Sequence, residues 1–508
     1  MRTRASRAAL LLTALALAIP TSGAATASVT SSSGGLQPSD PRYTLRDTQN
    51  IADAYGRITG EGGQLRNPVY IPSLVEETNQ TSVDQLLEQA ATPGRPSITA
   101  GAVFPGWNVG NPLRASWDGT RGRMKAVQWT NRYGALIRGT LYRPLKGARD
   151  PYTDRRLRGP FPGVVVTPGS VQGSEGMYRW VAQDLAERGY LVLTFDTQGQ
   201  GTSETFPHEG DQVDALPFCN PFAEPADDET LGCPGVPSQQ LGNFVTGTRD
   251  ALSFFLSTPR KPWRNPSSDD VRVNDFNPWH RVFDRSRDRR TDTPGRTRRV
   301  AIIGHSLGAA AVSKVQGIDK RVMAVVALDK LAASQTAGPL DPGDFTPTVP
   351  ALAIQSEYGF TVAPWFAAGG SSLRPQPSPQ GPDPRRERMT GWEAWNREGV
   401  DSLLLVPRAS THLEYTDIPL ALPASRFGQA LTSHYVQAWL DRYLKHKRVD
   451  RALLGRRFTY LEPQGSSQWN PVTLPRRRLT SFYFCSAYRL EERNRVRRDR
   501  DWTGVGCR

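Results

Sequence analysis

A chain of 508 residues with a formal net charge of +14 and 38% hydrophobic residues is long enough to bury a large core. Its length suits two to four domain-sized blocks, or one large α/β domain with extensions. Past the first 27 positions no stretch is apolar enough to span a bilayer, no Cys-x-x-Cys or Cys/His cluster suggests a metal, and the Arg-rich surplus comes without a nucleic-acid-binding motif.

Residues 1–27 read as an export signal. Arg2, Arg4 and Arg7 supply the charged start, Ala8 to Ile19 the apolar run, and Pro20 ends it. Ala25-Thr26-Ala27 is a small-x-small cleavage pattern, with the cut before Ser28 or, alternatively, after Ala24. Neither a twin Arg nor a Cys near the cut marks a folded-export signal or a lipid anchor. Export implies an oxidising compartment, and the four cysteines then pair. Three connectivities exist, and the one with short loops is Cys219–Cys233 and Cys485–Cys507. The basic runs Arg285 to Arg299, Arg476 to Arg478 and Arg493 to Arg500 are interspersed with Asp288, Asp292, Glu491, Glu492 and Asp499. They read as solvated surface; the sharper alternative is contact with an anionic polymer, envelope or phospholipid surface.

In chain order, residues 28–121 form an N-terminal extension: a Ser/Thr/Gly-rich start, then a Pro/Gly-punctuated block with one expected helix from Thr81 to Ala91, capped by Ser82. Met124 to Arg143 reads as a hairpin turning at Asn131 to Gly134. Val164 to Val166 is a continuous apolar run, as expected of a parallel strand covered on both faces. A helix with Met177, Val181 and Leu185 follows, closed by Gly189, and Tyr190 to Phe195 is the next strand. Residues 204–238 and 259–298 read as insertions flanking an amphipathic helix that carries Leu241, Phe244, Leu252 and Phe255. Further strands are expected at 300–303, 322–328, 349–355 and 402–406, with helices at 387–398 and from Ser425 on. Residues 451–508 form a C-terminal extension with a strand from Leu479 to Tyr488. Strands alternating with helices, most strands uniformly apolar, predict an α/β fold: a mostly parallel sheet over residues 122–450, helices on both faces, and an antiparallel N-terminal hairpin.

In such a sheet, chemistry sits beyond the carboxyl ends of the strands. The apolar run Val300 to Ile303 breaks into Gly304-His305-Ser306-Leu307-Gly308 and continues as a small-residue helix. That is a strand, a sharp bend and a helix, with the Ser306 hydroxyl thrown out of the bend and glycines where a Cβ would clash. The bland alternative is a Gly/Ser turn between two core elements. Asp329 ends the next strand, Glu357 follows the one after, and His412 lies just beyond the last. A serine hydroxyl needs a base to take its proton, and the base needs a carboxylate to fix its tautomer. Of six histidines, His412 alone falls in a loop after a sheet strand. Asp329 is the favoured acid, because the tips holding it and Ser306 would be neighbours; Glu357 is the alternative. Oxyanion donors would be the Leu307 N–H and an N–H at Ser170 or Val171.

These residues resemble those of the α/β-hydrolases, and within them the platelet-activating-factor acetylhydrolase group and secreted bacterial lipase-like enzymes. The likeness rests on Gly304 to Gly308, Ala327-Leu328-Asp329, Ile354 to Tyr358 and the Arg408 to Asp417 loop, and it covers roughly residues 122–445. In that group the acid belongs to the Ala-Leu-Asp motif, which implies Asp329. The family's oxyanion loop usually carries His-Gly, where this chain has Pro168-Gly169-Ser170. The expected function is a secreted serine hydrolase acting on carboxylic esters of small molecules, lipids or polyesters, needing no metal or organic cofactor and no nucleic acid. Amide or peptide hydrolysis by the same triad, and a binding protein that keeps the fold without turnover, are the alternatives. The insertions between 204 and 298 are placed to form a lid or pocket wall.

Overall fold

The computed structural model describes residues 39–60, 63–95, 97, 99, 102, 107–170, 173–206, 237–267, 272–288, 296, 298–333, 345–370, 379, 381–418, 422–423, 426–492 and 495–502. The leader at 1–27, Val171, and three of the cysteines (Cys219, Cys233 and Cys507) lie outside them, so neither expected pairing is described; Cys485 is buried.

Ten strands form one sheet in the order β1-β2-β4-β3-β5-β6-β7-β8-β13-β14. They are β1 (Gly122–Thr130), β2 (Leu136–Pro144), β3 (Gly163–Thr167), β4 (Leu191–Phe195), β5 (Val300–His305), β6 (Val322–Leu328), β7 (Ala351–Ile354), β8 (Ser402–Leu405), β13 (Ser486–Glu492) and β14 (Arg495–Trp502). The intervening numbers belong to two small pairs, β9 (Asp417–Ile418) with β10 (Leu422–Pro423), and β11 (Arg457–Gly465) with β12 (Gln468–Pro475). β4, β3, β5, β6, β7 and β8 run parallel. Antiparallel hairpins flank them, β1–β2 against β4 and β13–β14 against β8.

The central strands are buried on both faces because their side chains alternate between two cores. Val165, Ile302 and Val325 point to the side of helices α4 (Leu241–Leu256) and α5 (Leu307–Ile318). Val164, Val166, Ile303 and Val326 point to the side of α3 (Arg179–Glu187) and α6 (Arg426–Lys445), where Leu185, Tyr435 and Trp439 meet them. A period of two on a strand with apolar residues at every position gives this double covering. The expected mostly parallel α/β sheet with helices on both faces is present.

Several local expectations differ. The helix expected at 81–91 begins at Tyr70 and runs to Ala91 as α2, so Ser82 is interior and caps nothing. An unexpected α1 (Pro41–Thr59) precedes it, capped by Asp40, whose carboxylate accepts from the Arg42 N–H. The strand expected from Leu479 starts only at Ser486, and the helix expected at 387–398 is Trp392–Arg397. From β13 onward the tail forms the far edge of the main sheet. The segment 259–298 read as polar, yet Phe283 is buried edge-on against Phe255. Arg296, expected on the solvated surface, is buried and donates to the carbonyls of Gln316, Asp319 and Val322. The Gln316 and Asp319 carbonyls, at and just past the end of α5, have no N–H donor from the helix and lie at the negative end of its dipole, which suits a guanidinium. No helix among the described residues is long and apolar enough to cross a membrane.

Candidate active site

The chain order β3, β4, then β5 on the other side of β3 makes a topological switch point between β3 and β5, where the loops leave in opposite directions and open a crevice. The residues singled out in the sequence gather there. Ser306 follows β5 with φ +55° and ψ −122°, a conformation a non-glycine residue adopts only when its surroundings enforce it. A Cβ on Gly304 would overlap the Gly308 carbonyl, and one on Gly308 would overlap the Pro168 carbonyl. So Gly304 lets the helix close onto the strand, and Gly308 lets the β3 loop close onto the helix.

Ser306 Oγ lies 2.9 Å from His412 Nε2, and His412 Nδ1 lies 2.7 Å from Asp329 Oδ2. A carboxylate only accepts, so Nδ1 carries the proton and the Nε2 lone pair faces the hydroxyl. Asp329, at φ +43°, also accepts from Ser356 Oγ at 2.6 Å and Ser356 N at 3.2 Å. Burial raises its carboxyl, but the His412 hydrogen bond and charge, Lys330 and Ser356 outweigh it and hold the group well below the usual carboxylate range.

Glu357, the alternative acid, does not reach the histidine. It is fully buried and accepts from Asn50 Nδ2 and the Ala409 N–H through one oxygen, and from Ser481 Oγ and the Phe482 and Tyr483 N–H groups through the other. It therefore ties α1, the loop carrying His412 and the segment before β13 into one knot.

His305, inside the elbow, points beneath the site. Its Nε2 meets the His412 carbonyl at 2.9 Å and its Nδ1 meets Tyr178 Oη at 2.8 Å. A carbonyl only accepts, so Nε2 carries the proton and Nδ1 accepts from the phenol, which in turn accepts from the Gly169 N–H at 2.9 Å. This line joins the β3 loop to the backbone of the histidine loop. It also occupies the Gly169 N–H, leaving half-buried Ser170 as the next donor on that loop. Leu307 is the first residue of α5, where an N–H has no acceptor within the helix. Sequence reasoning missed Ser356, Tyr178 and the supporting role of His305; only the position of His305 before the serine hinted at it.

Burial, then the neighbouring His412, pushes His305 down to about 3. An unfolded histidine titrates near 6.5, so between these values the unfolded chain binds a proton that the folded one does not. Stability should therefore fall as pH drops through that window, by about 1.4 kcal/mol per pH unit from this residue. Urea unfolding of His305→Gln at pH 7, 6, 5 and 4 is expected to show a flatter decline than the parent, whatever the offset at pH 7. Parallel declines would contradict the buried neutral imidazole.

No family model matches the chain. Among curated proteins, an uncharacterized protein of Pseudomonas aeruginosa is 31% identical over 113 residues, which cover 21% of this chain and 28% of that protein. Among solved structures, a ferulic acid esterase from Streptomyces cinnamoneus is 18% identical, with a TM-score of 0.35, over 64% of this chain and 90% of that one.

Proposed function

We propose that the chain is an exported serine hydrolase that cleaves carboxylic esters through an acyl-serine intermediate. The observation that carries this reading is the unbroken hydrogen-bond line from Asp329 through His412 to Ser306, set at the carboxyl ends of parallel strands. His412 Nε2 takes the Ser306 proton as Oγ attacks the ester carbonyl, and Asp329 stabilises the imidazolium. The Leu307 and Ser170 N–H groups hold the negative oxygen of the tetrahedral intermediate. His412 then protonates the leaving alkoxide, and water repeats the cycle to release the acid. Exposed Phe360, whose ring centroid lies 4.8 Å from that of His412, gives the substrate an apolar wall. Export follows removal of the leader before Ser28, or after Ala24.

One experiment tests these points together. Protein recovered from the culture medium is treated with a fluorophosphonate, and its intact mass reads both the label and the leader cut. A single label is expected, absent in Ser306→Ala, whose ester turnover should fall by at least about 10³-fold. p-Nitrophenyl esters of increasing chain length should be cleaved faster than peptide anilides. Faster anilide cleavage would favour the amide reading, and no label at all would favour a binding protein.

A further inference from the structure

The surface at the opposite end of the sheet carries a second feature. A cleft of about 750 Å³ is lined, among the described residues, by ten basic and three acidic ones. Pro162, Gly189 and Arg299 in its wall immediately precede or closely approach the starts of β3, β4 and β5. Ser306 and Asp329 lie past the carboxyl ends of β5 and β6, so the cleft and the candidate active site open at opposite ends of the strands.

Its three acids are already neutralised. Asp150 pairs with Arg188 at 2.7 Å, Asp284 with Arg299 at 3.3 Å, and Asp441 with Arg188, Lys445 and Lys447 at 2.6, 3.1 and 3.0 Å. That leaves Arg155, Arg156, Arg158, Arg448, Arg451 and Arg457, none of which makes an ion pair among the described residues. Arg155 to Arg158 come from the loop before β3. Arg448 and Arg451 come from the chain just after α6, and Arg457 opens β11. Six guanidinium groups on separate walls, without an ion-pair partner among the described residues, raise the local potential and favour an anion long enough to reach more than one wall.

We propose that this cleft binds a linear, phosphate-bearing polyanion. Guanidinium forks match tetrahedral phosphate oxygens two at a time, and a chain of phosphates brings several within reach. A bilayer surface would touch only the rim of a concavity and would leave Ser306 on the side away from the lipid. A single-stranded nucleic acid would draw much of its affinity from rings on which its bases stack. Among the described residues, the one aromatic side chain lining the cleft, Phe161, is packed between Gly159 and Gly189.

Inorganic polyphosphate of medium chain length is the probe, titrated against the full-length protein by fluorescence anisotropy at two salt concentrations. Arg156→Gln/Arg448→Gln/Arg451→Gln should weaken binding by roughly tenfold or more and flatten its salt dependence. All three side chains are exposed, so the thermal midpoint should stay at the parent value. A charge-matched control, Arg495→Gln/Arg497→Gln/Arg498→Gln on exposed β14, should weaken binding by less than about threefold. Equal weakening by both triples would show a diffuse charge effect and overturn the proposal. So would absence of binding, or tighter binding to phosphatidylglycerol vesicles that the cleft triple abolishes. Orthophosphate competing as well as the chain, at equal phosphate concentration, would overturn the requirement for a polymer.

Discussion

Asp329→Asn should lower kcat on a p-nitrophenyl ester by about 10⁴-fold, close to 5.5 kcal/mol of lost transition-state stabilisation, while leaving the protein folded. The reason lies in the partners of the carboxylate. Oδ1 faces the Ser356 N–H, and Oδ2 faces both Ser356 Oγ and His412 Nδ1. An asparagine must keep its carbonyl toward the backbone N–H, because an amide nitrogen there would set donor against donor. Its NH₂ then faces His412, whose Nδ1 must become the acceptor. The proton moves to Nε2, which now points a hydrogen at Ser306 and cannot take one from it. The Ser356 hydroxyl can rotate to accept, so packing survives. The same variant should react with a fluorophosphonate far more slowly than the parent, since that reaction needs the same base. Retained turnover in Asp329→Asn, with loss of turnover in Glu357→Gln at full folding, would reverse the assignment of the acid.

The parts of this arrangement that are local in sequence were readable there. Val164 to Val166 and Val300 to Ile303 are apolar at every position, which in a short run bounded by loop residues means a strand covered on both sides. The elbow announces itself through two glycines whose absent Cβ atoms make room for opposing carbonyls. The acid and the base could be placed at strand ends once the strands were placed, although choosing Asp329 over Glu357 needed the spacing of neighbouring tips and a family likeness.

What could not be read depends on partners far away in the chain or on burial that composition hides. α1 carries only a few apolar side chains toward the core, with Leu45 and Tyr55 exposed, and α2 exposes Ile71, Val75, Val83, Leu86 and Leu87. α2 therefore shows no clean apolar stripe, whereas α1 is amphipathic but poor in apolar residues. Arg296 sits in a run of cations, and nothing in that run says that carbonyls at the end of α5 await it. The aromatic segment Phe482 to Phe484 looked like strand because it is apolar. Its first two N–H groups instead go to Glu357, 125 and 126 positions earlier, and the N–H of Phe484 goes to Ser481 Oγ. A pattern of apolar residues reports burial, and the ladder partner is a separate question that this segment answers with a carboxylate.

That carboxylate gives the second large effect. Glu357→Gln should cost about 3–5 kcal/mol of stability, although the side chain keeps its size. Each oxygen of Glu357 accepts from at least two donors: Asn50 Nδ2 at 2.7 Å and the Ala409 N–H at 2.6 Å on one side, Ser481 Oγ at 2.6 Å with two backbone N–H groups on the other. A glutamine offers an acceptor to one set and must turn an NH₂ toward the other. If the NH₂ faces Ala409, a buried backbone N–H loses its partner in the loop that carries His412, at a residue held at φ +56°. If it faces residues 481–483, the anchor before β13 loosens. Either way α1 or the tail should open first, so trypsin should cleave Glu357→Gln faster than the parent in both segments. The denaturant midpoint measures the loss, and Ser481→Ala, which removes one donor to Glu357 together with the acceptor of the Phe484 N–H, should cost about 1–3 kcal/mol, less than Glu357→Gln. Ester turnover per folded molecule should remain within about tenfold for both variants, because none of the Asp329, His412 and Ser306 contacts passes through residue 357. An unchanged midpoint in Glu357→Gln would mean that the knot does not bear on stability, and the N-terminal helix and the tail would then owe their positions to other contacts, among them the packing of Tyr43, Trp365 and Tyr483, the Arg408–Asp53 ion pair and the pairing of β13 with β8.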